Sequence, residues 1–185
     1  QGNYTWSHCI GDLYSSAPAS PGTNNYTIPG NRRLDRANCI TDVRNVFNLS
    51  TVYQTPQFSN TLLRKLASDW QVSGITRFQS GGVLTVVTGV DTALTGQTLQ
   101  RSNQVLADPY AANKNVSLWI NPAAFAQPAA GTYSSLGRNT LRGPGLIRID
   151  IGVTRTFKVR EKQSIQFRAE AFNLPNLVNL GDPVT

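Results

Sequence analysis

From Leu146 to Phe157 the chain alternates with a period of two. Ile147, Ile149, Ile151 and Val153 fall at odd positions, and Arg148, Asp150, Gly152, Thr154 and Thr156 at even ones. Side chains two residues apart share one face of a strand, so this run fits a β-strand with one apolar face and does not fit a helix. A short polar stretch, Val159 to Gln163, follows. Ser164 to Phe172 then resumes the pattern, with Ile165, Phe167, Ala169 and Ala171 opposed to Gln166, Arg168 and Glu170. Together the two runs predict an antiparallel hairpin with a tight turn. A slip of one residue would exchange the faces, so the expectation is definite: the aliphatic and aromatic set on one side, and Arg148, Asp150, Gln166, Arg168 and Glu170 on the other.

Upstream the same signal is weaker. Val43 to Gln54 opposes Phe47, Leu49 and Tyr53 to Asn48 and Ser50, and Asp69 to Ser80 opposes Trp70, Val72 and Phe78 to Gln71, Ser73, Arg77 and Gln79. Val83 to Thr88 is expected to pair back onto the latter after the Ser80-Gly81-Gly82 turn, and Asn3 to Tyr14 to supply a sixth strand. Two long excursions, Ser15 to Asn38 and Gly89 to about Gly145, interrupt these pairs. Composition agrees: 15 Gly, 10 Pro and many Thr, Ser, Asn, Val, Ile and Tyr residues favour strands and turns. The expected fold is all-β, a single segment over residues 1–185 with antiparallel strands, short turns and long loops.

Strand candidates of about ten residues exceed the five or six usual in soluble sheets. At ~3.3 Å per residue and a tilt of about 40° they are long enough to cover a bilayer. No apolar run approaches the roughly 18 to 20 residues of a membrane-spanning helix, so any crossing is made by strands. A soluble β-sandwich also alternates. It would rarely stack Arg148, Asp150, Arg168 and Glu170 on a sheet face without a water-filled interior to receive them.

Seventeen Lys and Arg against ten Asp and Glu give a net charge of +7, yet only Arg32, Arg33 and Arg36 cluster. The aromatics are not interleaved with basic residues, which argues against nucleic acid as a partner. Cys9 and Cys39 are the only cysteines, too far apart for a zinc or redox motif, and their separation suits a loop-closing disulfide in an oxidising compartment. A pair of free thiols is the alternative. The residues offer no catalytic, metal-binding or cofactor-binding constellation. His8 is the lone histidine, and Ser7 and His8 point to opposite faces of a strand; Glu161 and Glu170 are the only glutamates, and Glu170 is expected to pair with Arg168 or Arg148. Asp91 alone is too little charge for a calcium loop. Four Asn-X-Ser/Thr acceptor patterns, at Asn3, Asn25, Asn48 and Asn115, are what an Asn-rich composition produces by itself. The polar face is the best candidate for a functional surface, a ligand-free cross-strand salt-bridge ladder being the simpler account of it.

The succession NYTWSHCIGDLY (3–14), LDRANCITDVRNVFNLSTVYQTP (34–56), DWQVSGITRFQSGGVLTV (69–86), WINPAAF (119–125), LGRNTLRGPG (136–145) and IQFRAEAFNLPN (165–176) resembles the carboxyl-terminal barrel portion of TonB-dependent outer-membrane receptors, the large ones with an amino-terminal carboxypeptidase-regulatory-like domain. That resemblance implies a stretch of a barrel of about 22 strands, closed by a plug in the parent, that imports a ligand. Six to eight strands are about a third of such a barrel. Neither a plug, a TonB-contact segment, a terminal aromatic strand nor a signal peptide is evident, so the expectation is a chain that is either already processed or a piece of something longer, with two open sheet edges. Open edges recruit strands, and 16 Asn and 11 Gln could ladder between copies. Two readings follow. One is a non-enzymatic fragment that self-assembles head to tail into an extracellular homo-oligomer or filament; the other is a portion of an intact receptor barrel in the bacterial outer membrane.

Overall fold

The computed structural model describes residues 1–12, 27–28, 31–96, 100–160 and 163–183. It divides into two compact units, one formed by Gln1–Trp6, Asn45–Gln79 and Leu146–Asn179, the other by Ser7–Arg44, Ser80–Gly145 and Leu180–Thr185.

The first unit is a five-stranded sheet of β1 (Gly2–Trp6), β2 (Asn45–Gln54), β3 (Trp70–Gln79), β4 (Leu146–Arg160) and β5 (Gln163–Ala171), adjacent in space in the order of the chain. Every pairing is antiparallel. The sheet is open, with β1 and β5 as its edges, and the all-β expectation holds. Because the strands alternate in direction, both long excursions leave from the same end, after Trp6 and after Gln79. At the opposite end β2 passes to β3 through Thr55 to Asp69, and β4, which ends at Arg160, is followed by β5 from Gln163. Strand β4 runs on through the expected polar turn to Arg160, with a bulge between Lys158 and Arg160. Glu161, expected in that turn, lies outside the described residues.

Register fixes the faces. Phe78 pairs with both Phe47 and Ile147, and Val72 with both Tyr53 and Val153; Ala169 lies beside Val153, and Phe167 beside Arg155. One face therefore carries Tyr4, Trp6, Phe47, Leu49, Tyr53, Trp70, Val72 and Phe78, the odd-numbered residues from Ile147 to Phe157, and Ile165, Phe167, Ala169 and Ala171. The other carries Asn48, Ser50, Gln54, Gln71, Ser73, Arg77, Gln79, Arg148, Asp150, Thr154, Gln166, Arg168 and Glu170, with Val46, Val52, Ile75 and Leu146 as apolar exceptions. Aromatics gather at both ends of the apolar face. Phe47 and Phe78 touch at 6.0 Å near the long-excursion end, and Trp70 meets Phe167 edge-on at 6.1 Å near the other. Phe78 and Trp70 are eight residues apart on β3, about 27 Å along the strand and about 21 Å after a 40° tilt, close to the ~25 Å apolar band of an outer-membrane barrel.

A seven-residue helix, α1 (Thr61–Ala67), lies within the β2–β3 connection. Its signal in the sequence is local: the Asn60 side chain accepts from the backbone N–H groups of Leu62 and Leu63, an N-cap ahead of apolar residues at helical spacing.

The second unit holds little regular structure. Ile10–Gly11 pairs with Ala37–Asn38, Val83–Leu84 with Leu141–Arg142, and Asn103–Gln104 with Phe125–Ala126. Its apolar centre is Val83, Leu84, Ala111, Ala124, Leu136 and Leu141, all buried. Two expectations are corrected here. Val83 to Thr88 does not pair back onto β3: Val83 and Leu84 are both buried in the second unit and pair with Leu141–Arg142. Gly81 permits this, since a Cβ there would collide with the carbonyl oxygens of Gly143 and Pro144, and Gly143 N–H donates to the Gly82 carbonyl at 2.8 Å. Nor is Asn3 to Tyr14 one strand. The ladder ends at Trp6, Ile10–Gly11 takes a new partner, and Leu13 and Tyr14 lie outside the described residues, as does most of the Ser15 to Asn38 excursion, Asn25 included.

Candidate functional site

The polar face of the sheet is the candidate surface. Strand β4 supplies Arg148 and Asp150, and β5 supplies Gln166, Arg168 and Glu170; the register places all five on one side. Arg148 Nε donates to Asp150 Oδ2 at 2.7 Å, and Arg168 donates to Glu170. The ion pairs thus run along each strand, and the cross-strand ladder is not what the described residues form. The register gives the reason: Arg148 stands directly opposite Arg77, and like charges at opposed positions repel. Each guanidinium turns to an acceptor two residues along its own strand, Arg77 to Gln79 Oε1 at 2.7 Å in the same way. Asp150 also accepts from the backbone N–H of Asn173 at 2.9 Å. There the chain leaves β5 in a turn whose Asn173 and Asn176 both adopt positive φ, a conformation asparagine tolerates better than most residues.

Two hollows lie on this side. One, of about 590 Å³, is bounded by Gln54, Gln71, Thr154, Lys158 and Gln166 among others. A smaller one of about 200 Å³ is lined by Ser50, Ser73, Asp150 and Glu170 among others. The described residues contain no group of three metal-ligating side chains. What the surface can do is present hydrogen-bonding groups and paired charges to water or to a polar solute.

The second unit absorbs the other motifs into its own framework. Cys9 and Cys39 are joined, with Cα atoms 5.3 Å apart. Beside the bridge, the fully buried carboxylate of Asp42 accepts from the Cys9 N–H at 2.8 Å and pairs with Arg142 and, at 3.5 Å, with Arg44. Burial raises the pKa of Asp42, but the Cys9 N–H, the Arg142 hydrogen bond and the charges of Arg142 and Arg44 together outweigh it and hold the group below its ordinary value. Asn38 and Asn139 each donate a side-chain N–H to the other's carbonyl, at 2.8 and 2.7 Å. Arg101 pairs with Asp35 at 3.2 Å, both buried. Trp119 Nε1 donates to the Arg142 carbonyl at 3.0 Å, and Asn121 caps the 3-10 turn that buries Ala124. His8 sits with its Nε2 3.0 Å from Asn38 Oδ1. Sequence reasoning found the cysteines but missed Asp42 and Arg142, which are a hundred residues apart in the chain and have no local signal.

A thiol test separates the faces. In the protein reconstituted into vesicles, Arg148→Cys and Gln166→Cys are expected to react with a membrane-impermeant maleimide, and Ile149→Cys and Phe167→Cys to resist it until detergent is added. The opposite pattern would mean that the register is slipped by one residue.

Antiparallel strands in chain order, one face polar and the other apolar between two aromatic rows, with the longer connections at one end and the shorter ones at the other, are the features of a membrane β-barrel wall. The family model for the outer membrane beta barrel domain matches residues 1–185, and the chain belongs to that family. It is accordingly a protein of the bacterial outer membrane. No curated protein and no solved structure matches it.

Proposed function

We propose that the chain is a non-enzymatic wall element of a receptor-type barrel, of the kind found in TonB-dependent importers, acting through its sheet edges and its polar face. The observation that carries this is the open five-stranded sheet. Among the described residues neither β1 nor β5 has an outer neighbour, so two rows of backbone N–H and C=O groups await strands. The motif resemblance supports the receptor type, which is finer than the family itself. In such a wall the apolar face lies on lipid, and Arg148, Asp150, Gln166, Arg168 and Glu170 line a wet lumen through which a polar ligand passes.

A second reading fills the same edges with further copies of the chain. Its support is that the edges differ: β1 has five residues and β5 nine. Non-identical edges add head to tail and give an open filament unless the rotation closes. The barrel reading is preferred because Tyr4, Trp6, Tyr53, Ile165 and Phe167 on the apolar face are all at least half exposed; lipid covers them, whereas a filament in water must find another cover.

Sedimentation and electron microscopy of the purified 185-residue chain, with and without detergent, decide between the two. The barrel reading expects a species that stays dispersed only in detergent, and the filament reading expects ordered fibres without it. A well-folded, water-soluble monomer of 20.1 kDa would dispose of both. Intact-mass analysis of native material adds the receptor test: a mass several times 20.1 kDa, with plug peptides, is expected for an importer.

A further inference from the structure

Between Ile147 and Phe157, Arg155 is the one charged residue on the apolar face of β4, and the structure shows what it does there. It pairs in register with Trp70 on one side and Phe167 on the other, and its guanidinium lies 5.3 Å from the Trp70 ring and 4.7 Å from the Phe157 ring. Its terminal nitrogens donate to the carbonyl oxygens of Lys65 and Leu66, and Trp70 Nε1 donates to the same Leu66 oxygen at 2.8 Å. Two side chains of the lipid-facing surface thus hold the last turn of α1, where unpaired carbonyls and the negative end of the helix dipole suit a cation. An arginine on a barrel's lipid face is costly at mid-depth and tolerated near the interface. Here the aromatic row and the helix leave it 8% exposed.

The helix so pinned is amphipathic. Leu62, Leu63 and Leu66 fall within one third of its circumference, and Arg64 and Lys65 fall outside that arc. Instead of packing on the sheet, the three leucines are 70%, 50% and 70% exposed. These exposed leucines stand on a helix whose last turn is bonded to Trp70 and Arg155 of the apolar sheet face. The described charges at this end of the sheet are Arg64, Lys65, Arg155, Lys158 and Arg160 against Asp69, whose carboxylate accepts from Gln57 at 2.8 Å. The balance is strongly positive.

We propose that α1 is an interfacial helix docked on anionic phospholipid: Leu62, Leu63 and Leu66 enter the boundary between head groups and acyl chains, Arg64 and Lys65 meet lipid phosphates, and Arg155 is the positioning residue that clamps the helix at that depth. The short-connection end of an outer-membrane barrel is the periplasmic one, so the lipid is that of the inner leaflet. This rests on the barrel reading, under which the apolar face contacts the bilayer.

The test is depth-dependent fluorescence quenching. The full-length polypeptide, reconstituted into vesicles of phosphatidylcholine and phosphatidylglycerol, is labelled at Leu66→Cys, at Arg64→Cys, or at Ile151→Cys in the middle of the apolar face. The Leu66 label is expected to be quenched about twofold more by a spin label at the top of the acyl chain than by one near its end, as befits a helix about 5–10 Å deep. The Arg64 label is expected to stay shallower, and the Ile151 label to prefer the deep quencher. Arg155→Ala should abolish quenching at Leu66 and leave Ile151 unchanged, with partial recovery in Arg155→Lys. Preference for spin-labelled phosphatidylglycerol over phosphatidylcholine should fall about fivefold for each charge removed in Arg64→Gln and Lys65→Gln. A Leu66 label that ignores both quenchers while Ile151 responds would overturn the docking proposal and keep the barrel. Silence at both positions would remove the membrane-facing assignment of the sheet itself. Quenching at Leu66 that survives Arg155→Ala would refute the clamp.

Discussion

Replacing Asp42 by Ala is expected to cost about 3–5 kcal/mol, because it leaves two arginines beside a buried space with no carboxylate to meet them. The side chain of Asp42 is fully shielded and satisfies the Cys9 N–H, Arg142 and Arg44 at once. Asp42→Asn should cost less, since it keeps an acceptor for the Cys9 N–H and loses only charge. The sign of the pH dependence follows from the lowered pKa. A carboxyl whose folded pKa lies below its unfolded value, about 3.8, stabilises fully above that value, and the benefit fades as pH falls through the folded pKa. The difference between wild type and Asp42→Asn should therefore be constant from about pH 8 to pH 5 and shrink below about pH 4. Urea unfolding followed by tryptophan fluorescence, in detergent, measures both. A loss under about 1 kcal/mol for Asp42→Ala would show that water enters and screens the cluster.

Breaking the disulfide comes next in size. Cys9 and Cys39 are 30 residues apart, and closing a loop of that length restricts the unfolded chain by about 3.5 kcal/mol. The pair Cys9→Ser and Cys39→Ser, or wild type under reductant, should lose about that much in the same urea experiment. The effect should be non-additive with Asp42→Ala, because Asp42 holds the Cys9 backbone and loses that geometry when the bridge is gone. Equal midpoints with and without reductant, or free thiols titrating in the denatured, unreduced protein, would refute it.

The alternation in β4 and β5 made the sheet legible, because a period of two is stored in consecutive residues and a register slip is forbidden by the contrast between faces. Phe47, Tyr53, Trp70 and Phe78 extended the same logic to β2 and β3. The second unit was opaque for the opposite reason. Its pairings are two residues long, too short for any period, and Asp42, Asn139 and Arg142 are brought together by close backbone contacts such as that of Gly81 with Gly143, not by pattern. The polar face was correctly assembled from parity, but the direction of its ion pairs was not, since that depended on Arg77 standing opposite Arg148. Alternation also puts Arg155 on the apolar face; its partners are main-chain carbonyls of α1, which no side-chain pattern can reveal.

The bridge between Cys9 and Cys39 has one more effect, on what a protease can release. Strand β1 is the shortest of the five and forms an edge, and it precedes Cys9, whereas β2 begins after Cys39. Any single cut between the two cysteines leaves β1 covalently tied to the rest of the polypeptide. The chain can be nicked in its first excursion and keep its edge strand, as long as its surroundings stay oxidising. Reduction after such a nick would turn that edge into a detachable peptide and open β2 to a replacement strand.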